Sequence, residues 1–395
     1  MTLYLNALGI VNALGRGKRQ VAANLFGGSR AGMVLRDDLI PGRSVRVGVI
    51  DGPLPSLPSH LADFDCRNNR VMLAALEEIE AAVMAARRRY GGERIAVVVG
   101  TSTAGIAEGE QALRARLTEG AWPRSYHYSQ QELGNLSAFV AAYFDLSGPA
   151  YTIATACSSS GKAFASAQRL IEAGICDAAL VGGADTLCRL TLNGFNSLEA
   201  IAADYCNPFS RNRDGINIGE GAAVFLLSRE HSAVALLGVG ESSDAHHVSA
   251  PDPAGRGALH AMRRALEAAG LPAASVDYVN FHGTATTLND VMEGRVVAQL
   301  FGGDMPCSST KTMTGHMLGA AAAGEAGMMW LALDPEYSGG ALPPHLWDGA
   351  ADPEIPALNL VPLGTRIPLG ETCTMLSNSF AFGGSNVAVL LGRGW

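Results

Sequence analysis

The sequence predicts an α/β protein built from two similar halves. Three observations point there: short apolar runs that alternate with helical stretches, a composition rich in glycine and poor in charge, and motifs that recur in the same order. The 395 residues exceed one ordinary core, which by itself favours two domains or one fold made by duplication. Apolar residues make up 48% and charged residues 17%, with 47 glycines, so a large core is buried and a disordered chain is excluded.

The strands come first. Segments 95–100, 151–154, 178–181, 276–281 and 387–391 are short apolar runs closed by Gly, Asn or polar residues, as buried strands are. Helical patterns lie between them. Over 70–90 the apolar positions repeat at helical spacing, with Glu77, Glu78 and Glu80 early and Arg87, Arg88 and Arg89 late, which complements the helix dipole.

The internal echo has three members. Gly100-Thr101-Ser102-Thr103 after one apolar run resembles Gly283-Thr284-Ala285-Thr286 after another, and Cys157-Ser158-Ser159 resembles Cys307-Ser308-Ser309. Gly219 to Leu227 parallels Gly383 to Leu391. Each match alone is a common pattern; three in order predict two homologous halves, 1–235 and 236–395, that meet near 228–240.

A net charge of −8 without any basic stripe excludes a general nucleic-acid surface. No apolar run reaches membrane-spanning length, and residues 1–15 carry no positive charge ahead of their apolar stretch, so a signal peptide is not expected and a cytoplasmic protein is. The seven cysteines are odd in number and stand singly without CxxC spacing, which speaks against a disulfide framework or a cysteine zinc site.

Cys157 lies where a β-type run gives way to a small-residue turn, Cys157-Ser158-Ser159-Ser160-Gly161, and then to a helical stretch over 162–173. A thiol there feels the positive helix end and unpaired N–H groups, which predicts a lowered pKa and an activated nucleophile. On turn chemistry alone a buried structural cysteine stays equally open, and it is the expected reading for Cys176, Cys188 and Cys373. His282 follows an apolar run and should project from a sheet end. His316 follows Gly315 ahead of a small-residue helix, whose N-terminus would keep the ring neutral. Taken singly, each histidine reads first as a satisfied core or loop residue. Cys157, His282 and His316 are zinc-type ligands but lack metal-type spacing, so no metal is expected.

Read together, five motifs resemble the elongating β-ketoacyl-ACP synthases of the thiolase superfamily, also found as ketosynthase domains of polyketide synthases. They are Ala156-Cys157 with its Ser/Gly-rich sequel, Asn207-Pro208-Phe209-Ser210-Arg211 through Asp214-Gly215 to Gly219-Glu220-Gly221, His282 to Thr286, Ser309 to His316 around Lys311, and Asn378 to Asn386 around Phe382. They span about residues 150–395, and the first 90 residues match only loosely. The resemblance implies a thiolase-like fold: two homologous βαβαβαββ halves in a five-layered αβαβα sandwich, the first carrying the nucleophile and the second the two histidines.

The resemblance further implies that Cys157 takes an acyl group from acyl-ACP and that malonyl-ACP then condenses with it in a decarboxylative Claisen reaction, with no metal or redox cofactor. His282 and His316 would stabilise the enolate through their N–H groups. The backbone N–H groups of Cys157 and Phe382 would form the oxyanion hole. Lys311 and Glu325 would be a buried pair that organises the site. Phe382 would gate the acyl pocket on a hinge at Gly383 and Gly384, with the loop at Asp244 moving alongside. Thr284 and Thr286 would contact substrate.

Ala381 stands where the family commonly has Gly, which implies a stiffer gate. Ile216 replaces an aromatic residue after Arg213-Asp214-Gly215, and Thr103 falls near the position that limits acyl depth at a dimer interface. Arg67, Arg70, Arg124 and Arg211 are expected to dock the acidic carrier protein. The implied assembly is a homodimer, or a heterodimer with a related ketosynthase-like subunit. Two alternatives are a catalytically silent chain-length-factor subunit, which usually lacks the nucleophile, and a thiolase-like acyl-CoA enzyme, which typically has a second cysteine in place of one histidine.

Overall fold

The computed structural model describes residues 2–395. Its strands are β1 (Leu3–Asn12), β2 (Gly15–Arg16), β3 (Met33–Ile40), β4 (Arg43–Gly48), β5 (Ile95–Gly100), β6 (Ala150–Ile153), β7 (Ala178–Asp185) and β8 (Ile218–Gly219). There follow β9 (Gly221–Ser228), β10 (Val234–Ser243), β11 (Tyr278–Asn280), β12 (Pro306–Ser308), β13 (Asn359–Leu360), β14 (Cys373–Ala381) and β15 (Ser385–Arg393).

The main sheet runs β13-β12-β11-β14-β15-β10-β1-β9-β7-β5-β6, with β2 hooked onto β1. Around the β10–β1 junction the order repeats. On one side β1 pairs antiparallel with β9 and β9 with β7, after which β7, β5 and β6 are parallel. On the other, β10 pairs antiparallel with β15 and β15 with β14, and β14, β11 and β12 are parallel. The two sets meet in a short antiparallel register, Leu3 opposite Leu236 and Tyr4 opposite Ala235. β13 is an extra edge strand beside β12.

Helices connect the parallel strands, as parallel pairing requires. In the first set they are Arg67–Tyr90, Asn135–Phe144 and Ser159–Glu172; in the second, Arg256–Ala269, Thr287–Phe301 and Ala321–Leu333. This is βαβαβαββ twice. The Ser159–Glu172 and Ala321–Leu333 helices touch each other and strands from both sets, while Arg67–Tyr90 and Arg256–Ala269 each cover one set from outside. The five layers expected of a thiolase-like α/β fold are thus present. The central position explains a sequence feature: Ala321–Leu333 is apolar all round because every residue in it is buried.

The 70–90 helix begins a turn earlier, at Arg67, and the 276–281 run shortens at both ends to Tyr278–Asn280. Two members of the echo fall at equivalent places, the ends of β5 and β11 and the strands β9 and β15. The third does not. Cys307 lies inside β12, whereas Cys157 stands beyond the end of β6. A small separate sheet, β3-β4-β8, is inserted in the first half. Among the described residues no helix is long and apolar enough to cross a membrane.

Candidate active site

Cys157 occupies a turn between β6 and the Ser159–Glu172 helix, and the turn is strained: Ala156 has φ +52°, a left-handed conformation that disfavours a side chain. Hydroxyls hold it there. The Ser159 hydroxyl donates to the Ala156 carbonyl and accepts the Thr155 N–H at 2.9 Å, and the Ser158 hydroxyl donates to that of Ser385 at 2.9 Å. Cys157 lines a cavity of about 260 Å³. Burial pushes the thiol up to about 11, against the pull of Lys311 and of the Phe382 and Cys157 backbone N–H groups. The lowered pKa expected from the helix start is therefore corrected: desolvation of the thiolate outweighs the positive helix end, and the resting sulfur is protonated.

His316 Nε2 lies 3.0 Å from Cys157 Sγ, and the His282 ring stands edge-on to His316 with centroids 5.3 Å apart. Both imidazoles are buried, and both are held well below their ordinary pKa, first by burial and then by Lys311. His316 is neutral as expected, for a different reason. The Ala321–Leu333 helix starts five residues beyond it, so desolvation rather than a helix end keeps the proton off. The backbone fixes its place: His316 N–H donates to the Asn217 carbonyl at 2.7 Å, and Gly219 N–H to the His316 carbonyl at 3.0 Å. A Cβ at Gly219 would lie 2.0 Å from the Thr314 carbonyl oxygen, so only glycine permits this crossing.

His282 stands two residues past β11. Its N–H and that of Gly283 donate to the two oxygens of Glu293, at 2.7 and 2.8 Å. Glu293 also accepts from Asn289 and Asn378, and its burial lifts the carboxyl to about 8. Sequence reasoning passed over Glu293, although the spacing from His282 into the next helix was a usable signal. Lys311 and Glu325 form a fully buried ion pair; burial raises Glu325 to about 7 despite the ammonium beside it. The Lys311 charge reaches Cys157, His282 and His316 alike, and in each case it favours thiolate or neutral imidazole.

The cavity wall contains Phe382, Ala381, Asp244, Thr284, Thr286 and Ile216. The Phe382 ring packs on Phe195 at 5.6 Å, a partner not seen in the sequence. Gly383 and Gly384 have φ +83° and +73°, and a Cβ on Gly383 meets nothing within 4 Å. The Asp244 loop is tied to this turn: Asp244 N–H donates to the Gly384 carbonyl and Gly383 N–H to that of Val248, each at 2.8 Å.

Other expectations fall elsewhere. Thr103 does not line this cavity; its hydroxyl donates to the buried Asp185 at 2.7 Å, as does that of Thr101. None of the four arginines lines it either. Arg67, Arg70 and Arg124 border a different hollow, and Arg211 donates to the Ala351 carbonyl on another loop. Arg67 is paired with Glu220 at 2.9 Å and Arg70 with Asp65 at 2.6 Å, so their charge is largely answered within the chain.

The ligand atoms of Cys157, His282 and His316 lie within 4.8 Å of one another, the one such donor group among the described residues. One thiol facing two neutral imidazoles with no carboxylate among the ligands is also what a thioester needs, a sulfur to accept its acyl group and two ring nitrogens to meet its carbonyl oxygen.

Comparison with known proteins bears on which chemistry applies. The description "Beta-ketoacyl synthase, N-terminal domain" matches residues 59–233, and "Beta-ketoacyl synthase, C-terminal domain" matches 233–346. A 3-oxoacyl-[acyl-carrier-protein] synthase 2 of Rhizobium meliloti (strain 1021) is 37% identical over 268 residues, 63% of this chain and 62% of that protein. Nodulation protein E of the same strain is 33% identical over 367 residues, 87% of each. Among solved structures, a ketosynthase in complex with its chain length factor from Xenorhabdus doucetiae is 48% identical with a TM-score of 0.94, covering 99% of this chain and 98% of that one.

Proposed function

The chain belongs to the β-ketoacyl synthase family, and from that premise we propose that Cys157 carries the growing acyl chain while His282 and His316 direct malonyl decarboxylation. The activity is that of a ketosynthase, an acyltransferase-class condensing enzyme of fatty-acid or polyketide-like elongation. The observation that carries the residue assignment is the meeting of Cys157 Sγ and His316 Nε2 at 3.0 Å, beside His282, in the lining of one cavity.

In the first half-reaction the Cys157 thiol attacks an acyl thioester. The thiol proton passes to the departing carrier thiolate as sulfur adds, the acyl group stays on Cys157, and both imidazoles remain neutral. In the second, a malonyl thioester binds with its carbonyl oxygen between the two imidazoles. The bond to the carboxylate breaks, carbon dioxide departs, and the electron pair passes to an enolate held by the ring N–H groups. Its carbon attacks the acyl carbonyl, and the oxyanion that forms is held by the N–H groups of Cys157 and Phe382, each donor worth about 3 kcal/mol. Collapse expels the Cys157 thiolate, which takes a proton from water to restore the resting thiol. Burial, reinforced by the Lys311 charge, keeps both imidazoles neutral and so able to act as hydrogen-bond donors rather than as acids.

The 1–235 and 236–395 halves are read as a duplication in which one copy supplies the nucleophile and the other the decarboxylating pair. Phe382, on the Gly383-Gly384 hinge and beside Asp244, would open the way for the acyl chain. Thr284 and Thr286 would meet the thioester arm. A carrier protein delivers both substrates, and the mouth of the cavity rather than the Arg67, Arg70, Arg124 and Arg211 set defines where its arm enters. By analogy with the Xenorhabdus doucetiae ketosynthase and its chain length factor, the partner is a related ketosynthase-like subunit or a second copy of this chain. Seven free buried cysteines suit the reducing cytoplasm. A silent partner role is disfavoured by the presence of Cys157. Intact-mass analysis after mixing with acyl carrier thioesters tests the proposal: an acyl adduct mapped to Cys157 supports it, and no adduct with any acyl chain refutes it.

A further inference from the structure

The buried imidazole of His345 has no part in these steps, yet both of its nitrogens are committed. Nδ1 accepts the Ser309 N–H at 3.0 Å, and Nε2 donates to the Pro208 carbonyl at 3.1 Å. Only the neutral ring with its proton on Nε2 makes both bonds. Burial lowers its pKa to about 4, so this form persists through the neutral range.

On one side, the bonds secure the turn that contains Phe209, whose φ is +62°. Phe209 gives its N–H to Asp290 at 2.8 Å and lays its ring 4.3 Å from that of Phe281, the residue before His282. On the other side, the Ser309 hydroxyl donates to the carbonyl of Gly283, the residue after His282, at 2.7 Å, and accepts the Lys311 N–H at 3.4 Å. One ring thus reaches, through Pro208 and Phe209 on one side and Ser309 on the other, both chain neighbours of His282 and the start of the Lys311 turn. The Cys157 turn is held by other groups, Ser158, Ser159 and Ser385.

We propose that His345 is a positioning residue for the decarboxylation half-reaction, fixing the 207–210 turn against Ser309 and thereby the placement of His282 beside Cys157. This rests on the assignment of His282 to decarboxylation. A merely structural histidine would weaken both half-reactions together, whereas a positioning residue for the His282 loop separates them.

The test measures release of carbon dioxide from a malonyl carrier thioester and acylation of Cys157 by intact mass, on the full chain with its partner if one co-purifies. His345→Leu is expected to slow decarboxylation by at least about tenfold and to leave acylation within about twofold. His345→Gln, whose amide supplies one acceptor and one donor, should recover most of the lost rate. Ser309→Ala, which cuts the link to Gly283, should reproduce the selective loss, and it carries the test if His345→Leu does not fold. A His345→Leu enzyme that decarboxylates normally, or variants in which both half-reactions fall in parallel, overturn the proposal. His282→Ala, run alongside, separates the two readings. If it decarboxylates at the wild-type rate the assignment of His282 fails and this inference with it; if it is inactive while His345→Leu is normal, only the positioning role fails.

Discussion

The turn after β5 in the first half and the turn after β11 in the second stand at equivalent places in the sheet, and both are gathered by a buried carboxylate. Asp185 accepts the N–H groups of Ser102 and Thr103, each at 2.8 Å; Glu293 accepts those of His282 and Gly283. The side chains then part ways. Thr101 and Thr103 donate their hydroxyls back to Asp185, so the first turn is closed on itself, while the His282 ring is left free of the carboxylate and faces Cys157 and His316. One backbone solution thus serves as a structural joint in one half and as a mount for chemistry in the other. The strands repeat, and the function lives in what the turns present.

The largest test of this division is Cys157→Ala. It should abolish condensation by at least about a thousandfold while the protein still folds, read by product formation and by thermal melting. Product at the wild-type rate would move the nucleophile out of the first half.

Next comes the pair that serves all three reactive groups. Glu325→Leu leaves the Lys311 charge buried alone and should cost about 3–5 kcal/mol, seen as a lower denaturant midpoint, whereas replacing both Lys311 and Glu325 by apolar residues should recover most of the stability but not the activity. Equal stability of single and double variants would show that the pair is not closed to solvent.

The resting charge state is a sharper probe of the first half. Because burial holds the thiol near 11, alkylation of Cys157 should keep rising with pH well beyond the ordinary thiol range of about 8.5. A plateau by neutral pH would mean a thiolate–imidazolium pair with His316, and the neutral pair drawn here would be wrong. Smaller effects belong to the gate: Gly383→Ala, at φ +83°, forces a side chain into left-handed backbone and should slow acyl loading several-fold with little change in malonyl decarboxylation. The least effect is expected from Arg70→Ala, whose partner Asp65 is half-buried; KM for the carrier should shift by under about twofold.

The repeat was legible in the sequence because Gly-rich turns before apolar strands mark the same joints twice, at β9 and β15 and after β5 and β11. Cys157, His282, His316, Lys311 and Phe382 were picked out by motifs that survive as contiguous strings, and Glu325 as a partner on the helix that follows; the roles given to them are the proposal made above. Long-range geometry was not. Nothing local to Arg67 announces Glu220, 153 positions away, or places Thr103 against Asp185 rather than the acyl cavity. The same holds for His345, whose partners Pro208 and Ser309 come from two other loops. The thiol pKa was misjudged because a sequence shows the helix start but not the depth of burial, and here burial is the stronger effect.

Bond formation to sulfur and loss of carbon dioxide are thus assigned to different halves and can be separated. Intact mass of His282→Ala, followed through one turnover, tests this most directly. A single acyl adduct on Cys157 is expected to form on exposure to acyl carrier thioester and then to persist when the malonyl carrier thioester is added. An adduct that never forms, or one consumed as fast as in the wild type, would contradict that assignment.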